Sequence, residues 1–436
     1  MAQSSPLLAL AALLSITACG PSPDARRAQA DMRAALGAGD ARKAVELYGS
    51  WRQKRGGDDD PAALRMLATT TLWQGLRASS PAIRTQSIQA VERQKIESLA
   101  SEVAELVTAD DDLVAAAAAS ALLTAHPSAP QVLTDLLKSE DAAARALAVD
   151  GIGRGAGEYA RDDLVAMLRD PDPGVRRAAI GAVGQFAAGE DLDLLAALAT
   201  GDKDGGVRAR ALRVLASRSA DGRTELARRA TADTYLGARL AAIDLLARDG
   251  SGAAHAALVE LAGSPDLEIA LPAAAALLRG DDAAAAVAVI ERAMRAPGWT
   301  ARAAAVNAAG AAPRNDALRL GGRAIVDPRA EVRLAAARLL LHLGNDHRAR
   351  AELTAALSSS DPLVRIDAAV DLVRLGDVRG TDVMDRLARS ASADVRRAAV
   401  QAHTSARRVT PGLVAALADA DPTLRISAAE LILDVL

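Results

Sequence analysis

Five histidines, one cysteine and two runs of three aspartates are the residues of this chain best suited to chemistry. The histidines are His126, His255, His342, His347 and His403. His342 and His347 stand five apart, which is wrong for two ligands on one helical face. None has a cysteine or a carboxylate cluster nearby, so no metal site is expected. Asp58-Asp59-Asp60 and Asp110-Asp111-Asp112 lack the alternating ligands of a calcium loop. Both precede expected helix starts, where carboxylates favour the dipole. GIGRGAG (151–157) looks like a phosphate loop, but it follows a helix, and Glu158 stands where the third Gly would be needed. A helix stop is the better reading. The expectation is therefore no catalytic residues, no cofactor and no metal.

Arginine recurs regularly, which could suggest a phosphate-tracking stripe. Net charge is −3 and aromatics are only 2%, so neither the field nor the stacking platform for nucleic acid is present.

Cys19 has no partner for an intramolecular disulfide. It follows LLALAALLSITA (7–18), an apolar run too short to span a bilayer and suited to a signal-peptide core. Ile16-Thr17-Ala18-Cys19 resembles a bacterial lipobox. The first six residues, MAQSSP, depart from the usual leader in having no basic residue. The resemblance implies removal of residues 1–18, lipidation of Cys19 and a membrane anchor whose strength scales with buried CH₂ groups. Gly20 after the Cys implies an outer membrane facing the periplasm rather than an inner one, within a bacterial cell envelope. Residues 19–24, with Pro21 and Pro23, read as a short tether.

The body of the chain is built to position side chains by repetition. Half its residues are apolar, yet it has one Phe, three Trp and three Tyr. So Ala-rich a chain buries enough only by packing many thin helices closely. A register runs through Arg84, Val114, Arg145, Arg176, Arg208, Arg239, Ala270, Arg302, Arg333, Arg365, Arg396 and Arg425. An aliphatic or Ala residue precedes each position. Ala stands three residues after it in all but the first, as at Ala179, Ala242, Ala336 and Ala399. Offsets −1, +3 and +7 form one apolar stripe on a helix. The repeated Ala marks a close approach by a neighbouring helix. Asp172, Asp361 and Asp421 lie four before the register and are followed by Pro, a strong helix start. A shorter amphipathic stretch precedes each turn, such as DDLVAMLRD (162–170).

The D-P-x-V-R-x-x-A core resembles HEAT repeats, specifically the short HEAT-like repeats also found in phycobilin lyases. The fold expected is all-α, an α-solenoid (superhelix) of about twelve helix–turn–helix HEAT-like repeats over 77–436. Such stacks sum repeat and neighbour-interface terms. The resemblance implies a polar ladder between second helices, with Asp172 and Arg176, Asp361 and Arg365, and Asp421 and Arg425 contributing. Ser427, Glu430 and Asp434 on the last helix are expected to form a polar terminal cap. Residues 25–76 differ: Gly39, Ala44 and Tyr48 are spaced as in a tetratricopeptide repeat, and helices covering the first turn of the array are an equal reading.

Deoxyhypusine hydroxylase, an enzyme of HEAT-like repeats, holds iron through His-Glu dipeptides, and no His-Glu pair exists here. The function expected is a membrane-tethered, non-catalytic scaffold or adaptor for other proteins. The alternative implied by the resemblance is a lyase-like enzyme or cofactor-handling protein. Tyr235 and Trp299 sit in turns where other repeats carry Asp, as candidate protein-binding residues.

Overall fold

The computed structural model describes residues 23–54, 57, 59–156, 160–218, 222–278, 280–344 and 346–436. The expected signal peptide and Cys19 lie outside the described residues. Every regular element among the described residues is helical, and all twelve register positions fall on second helices of hairpins. Two compact units are formed, Leu123–Ala356 and a second built from Met1–Leu122 together with Leu357–Leu436.

Within Leu123–Ala356 the helix starts follow the sequence signal. Asp172 accepts the N–H groups of Gly174 and Val175 ahead of Pro173–Val183, and Asp266 accepts that of Glu268. Ala179, Ala211, Ala242 and Ala336 are wholly buried. Their methyl groups leave room for the neighbouring second helix, as small residues at a helix crossing must. Gly153 in the GIGRGAG stretch serves the same end. A Cβ there would lie 2.6 Å from Ala182 Cβ.

The register arginines form a ladder, but its acid is not the one expected. Asp172, Asp361 and Asp421 each cap their own helix start, and Asp421 also receives Arg397 of the preceding repeat at 3.4 Å, but none meets the register Arg of its own repeat. Five rungs instead reach an Asp that lies six residues before the next register position, while Arg333 reaches Glu352 at 2.6 Å. Arg145 forks onto Asp170, Arg176 onto Asp202, Arg208 onto Asp233, Arg302 onto Asp327 and Arg396 onto Asp419, with N–O distances of 2.6 to 3.3 Å. The second η nitrogen turns back to the carbonyl six residues earlier, as in Arg176 to Asp170 O at 2.9 Å. Each Asp also accepts the N–H two residues on, for example Asp204 N to Asp202 at 2.8 Å. The turn, its own helix and the preceding repeat are thus locked together. The physical reason is reach. An Asp at the helix N-cap spends one oxygen on N–H groups of its own first turn and meets at most an exposed Arg, as Asp204 meets Arg177, whereas one two residues earlier offers both oxygens to the register Arg of the previous layer. After Ala270, which has no guanidinium, the matching residue is Ala296.

Arg365 and Arg425 keep the carbonyl contact but hydrogen-bond to no acid side chain among the described residues. Arg239 keeps the carbonyl contact, to Asp233 O at 3.3 Å, and pairs with Glu268 at 3.6 Å.

The ladder dictates a pH response. Burial alone would raise Asp170, Asp202 and Asp419, but the Arg fork and turn N–H outweigh it and leave them below the ordinary aspartate range. For Asp233 and Asp327 the Arg hydrogen bond is the largest influence, again downward. Depressed carboxylates contribute stability that is complete above the unfolded pKa and lost as pH falls through the folded one. The urea midpoint should therefore hold from pH 7 to about 5 and fall below about 4. Asp202→Asn should shallow that fall, and an unchanged slope would contradict the ladder's part in it.

The other unit opens with a hairpin of Pro23–Gly37 and Ala41–Lys54. Its turn needs Gly39, which has φ of 76° and lies under the Trp73 ring. Tyr48 is buried beside Trp51. Its hydroxyl donates to Asp59 at 2.9 Å and accepts the Asp60 N–H at 3.3 Å. Two aspartates of the first acidic run are therefore structural, since Asp60 also caps Pro61–Leu76.

Pro61–Leu76 is buried on nearly every side, Thr69, Thr70 and Thr71 included. It packs on Pro81–Arg93 as the first helix of a hairpin, and also on the last helix, Pro422–Val435. The two ends of the chain are thus joined. Gln86 donates to Thr423 O at 3.2 Å and Ser427 Oγ at 3.4 Å, Arg93 forks onto Glu430, and Gln94 donates to Asp434 at 2.6 Å. The polar face expected as a terminal cap is instead a seam for residues 86–94.

Candidate protein-binding surface

A cleft of about 670 Å³ opens in Leu123–Ala356 between two first helices, Arg161–Ala166 and Glu190–Gly201. Arg161 forks onto buried Asp191 and holds their N-terminal ends together. The first helix then lasts only six residues before a 3-10 turn, Met167–Arg169, while its neighbour runs for twelve. The shorter helix leaves the far end unfilled, and Ala197 and Gly201 add no bulk there. Val165, Leu168, Leu194 and Leu198 form the walls. The Arg176 fork with Asp170 and Asp202 closes the floor, its hydrogen bonds already made. Arg169 and Lys203 stand at the rim. Arg169 meets no acid among the described residues, and Lys203 acts only through its field on Asp202. An apolar slot with a cationic rim suits an apolar side chain carried on an acidic segment.

Tyr235 and Trp299 are both exposed, at 47% and 38%. Tyr235 is the N-cap residue of Leu236–Asp249, with no side-chain cap bond. Gly298 caps Trp299–Ala308, also without one. Losing an Asp cap costs about 1 kcal/mol, so these turns give up helix stability to present a ring. The Tyr235 ring lies over Gly205 and Gly237, where a Cβ would come within 2.5 Å of it in each case. The Arg329 guanidinium sits 5.4 Å from the Trp299 ring centroid, and Val326, in the turn that leads to Arg329, is 69% exposed. The turns therefore carry fixed, amphipathic rings rather than loose ones.

No group of three or more metal-ligating side chains occurs among the described residues. His403 is buried, with Nδ1 2.6 Å from Ala399 O and Nε2 3.0 Å from Asp385. Burial pushes Asp385 up, but His403 and the Gly412 N–H outweigh it, and its pKa lies below the ordinary range. Asp111 caps Asp112–Ala121 by accepting Val114 N–H. These residues tie repeats together. The cleft carried no motif, and its one trace in the sequence was the shortness of DDLVAMLRD before its turn.

The HEAT-repeat family model matches residues 130–216 and 317–404, and the chain carries HEAT repeats in an all-α solenoid. Among curated proteins none matches this chain. Solved structures similar to it include the Kap95:Nup1 complex, at 10% identity over 92% of this chain and 67% of that one, with a TM-score of 0.41. Another is human deoxyhypusine hydroxylase in complex with glycerol, at 17% identity over 58% of this chain and 98% of that one, TM-score 0.28. A third is YibA of Escherichia coli, at 15% identity over 69% and 91%, TM-score 0.28. None is close enough to lend this chain an activity.

Proposed function

We propose that this protein is a non-catalytic scaffold that binds other proteins along its repeats and is tethered to a bacterial envelope membrane through a lipid on Cys19. The observation that carries the binding role is the open cleft with its apolar walls and unpaired rim cation, with exposed rings on turns of the same unit. HEAT repeats are a fold commonly used for protein binding. The sequence around Cys19 supports the tether, and Gly20 supports an outer membrane.

Affinity capture from membranes tests the reading. Wild type should recover a reproducible partner, and Leu194→Asp should lose it while keeping its unfolding midpoint. Trp299→Ala and Tyr235→Ala should weaken recovery. Cys19→Ser should release the protein from membranes and take up no acyl label. A bound chromophore or metal in the purified protein, with no partner recovered, would favour the lyase-like alternative instead.

A further inference from the structure

The unit that joins the chain ends contains a place where a rung has lost its acid. Because Pro61–Leu76 and Pro81–Arg93 pack next to the last helix, their hairpin is the layer that follows Arg425. The acid of a rung stands six residues before the next register position. For Arg84 that position is Ala78. Arg425 still anchors one η nitrogen on Asp419 O at 2.7 Å and Ala420 O at 3.3 Å, as the other rungs do. That leaves Nε and Nη2, the pair that holds a carboxylate in five other repeats, without an acid.

A cavity of about 170 Å³ occupies this place, lined by Gln74, Ala78, Ser79, Ser80 and Arg425. Its polar side chains have donors to spare. Ser80 is the N-cap residue of Pro81–Arg93 and makes no side-chain cap bond. No side-chain bond is made by Gln74 or Ser79 to any described residue. At Arg365 the corresponding position is Ser390, whose hydroxyl accepts the turn N–H of Ser392 at 3.3 Å. Ala78 offers nothing comparable. Burial, and then the nearby charge of Arg42, hold the Arg425 guanidinium below its ordinary pKa against the opposing fields of Asp419 and Asp421. A guanidinium with Nε and Nη2 unbonded, in a cavity with no acid among its lining residues, suits an anion.

We propose that this cavity binds a carboxylate, received by the Arg425 fork in the place that an Asp side chain takes in the other rungs. The planar fork matches a carboxylate bidentately, and the serine hydroxyls and Gln74 amide can satisfy its remaining lone pairs. The volume equals that of about six waters, which admits a small free acid or the terminal carboxylate of a peptide. A ligand here would bridge the first and last repeats and raise the unfolding midpoint.

Calorimetry and thermal unfolding on the full chain test this, with acetate, succinate, a tripeptide, its C-terminal amide and inorganic phosphate as probes. A carboxylate should bind saturably at one site. If succinate or acetate binds more tightly than the tripeptide, the source is a free acid. If the tripeptide wins and its amide fails, the source is a chain terminus. Arg425→Lys keeps the charge but loses the fork, and should weaken binding by about tenfold or more. Ala78→Asp should supply the missing acid, abolish binding and raise the ligand-free midpoint. Unchanged affinity in Ala78→Asp, tighter binding of phosphate than of every carboxylate, or no saturation by any probe would each overturn the proposal.

Discussion

Arg176→Ala is expected to cost about 3–5 kcal/mol. The side chains of Arg176 and Asp202 are only 5% and 6% exposed, so the alanine variant strands a buried carboxylate. It also frees the carbonyls of Asp170 and Pro171, which the same guanidinium satisfies. Asp202 would retain the Asp204 N–H, which softens the loss without replacing a charge. The pair itself is worth much less than this figure, because both ions left water to make it. Arg176→Met with Asp202→Leu should therefore recover most of the loss. Urea unfolding of the single and double variants measures both numbers. A loss below about 1 kcal/mol, the range of exposed pairs, would mean that the rung is not buried as described.

Gly75→Leu is the second large effect, expected to cost about 3 kcal/mol or more through overpacking. Gly75 lies on Pro61–Leu76 where two other helices cross it. A Cβ there would sit 2.0 Å from Ser87 Oγ and 3.3 Å from Ile426 Cδ1. Ser87 is wholly buried and its hydroxyl donates to Ile83 O, so it cannot swing away freely. Gly49 is the internal control. It is also helical, but nothing lies within 4 Å of a Cβ there. Gly49→Ala should stabilise by about 0.5–1 kcal/mol through backbone entropy alone. Opposite signs for the two glycines would show that the joint between the chain ends, not helix propensity, governs position 75. Equal signs would contradict it.

The register was legible because each repeat states it again. Val-Arg-x-x-Ala fixed which face of each second helix is buried, and the Asp-Pro pairs fixed where those helices start. The rung acids were equally periodic. Asp170, Asp202, Asp233, Asp327 and Asp419 all stand six before a register position. They were passed over because the Asp at −4 made a complete local account as an N-cap. Which carboxylate faces the previous layer depends on the stacking, not on the helix that carries it. The joint of Gln86, Arg93 and Gln94 with the last helix had no local signal, since its partners are more than 300 residues apart. Ser427, Glu430 and Asp434 looked like a solvent face for that reason. Ser87 did mark the place: it is the one register position where the +3 Ala is replaced, and it lies against Gly75.

Tyr235 and Trp299 stood out because they interrupt a series of Asp caps, and both rings are exposed. The cleft did not stand out, because it arises from a short helix beside one twice its length. Its four apolar wall residues look like ordinary stripe positions until the short neighbour fails to cover them.

Site-specific photo-crosslinking in cells that make the full chain tests the central claim most directly. A photoreactive residue in place of Leu198 in the cleft, or of Trp299 on the turns, should give a discrete adduct with another protein. The same residue in place of Arg213, on the exposed side of Gly205–Arg218, should give none. Leu194→Asp should remove the Leu198 adduct. Equal labelling from all three positions, or no protein adduct from the cleft or the turns, would contradict a scaffold that binds through this surface.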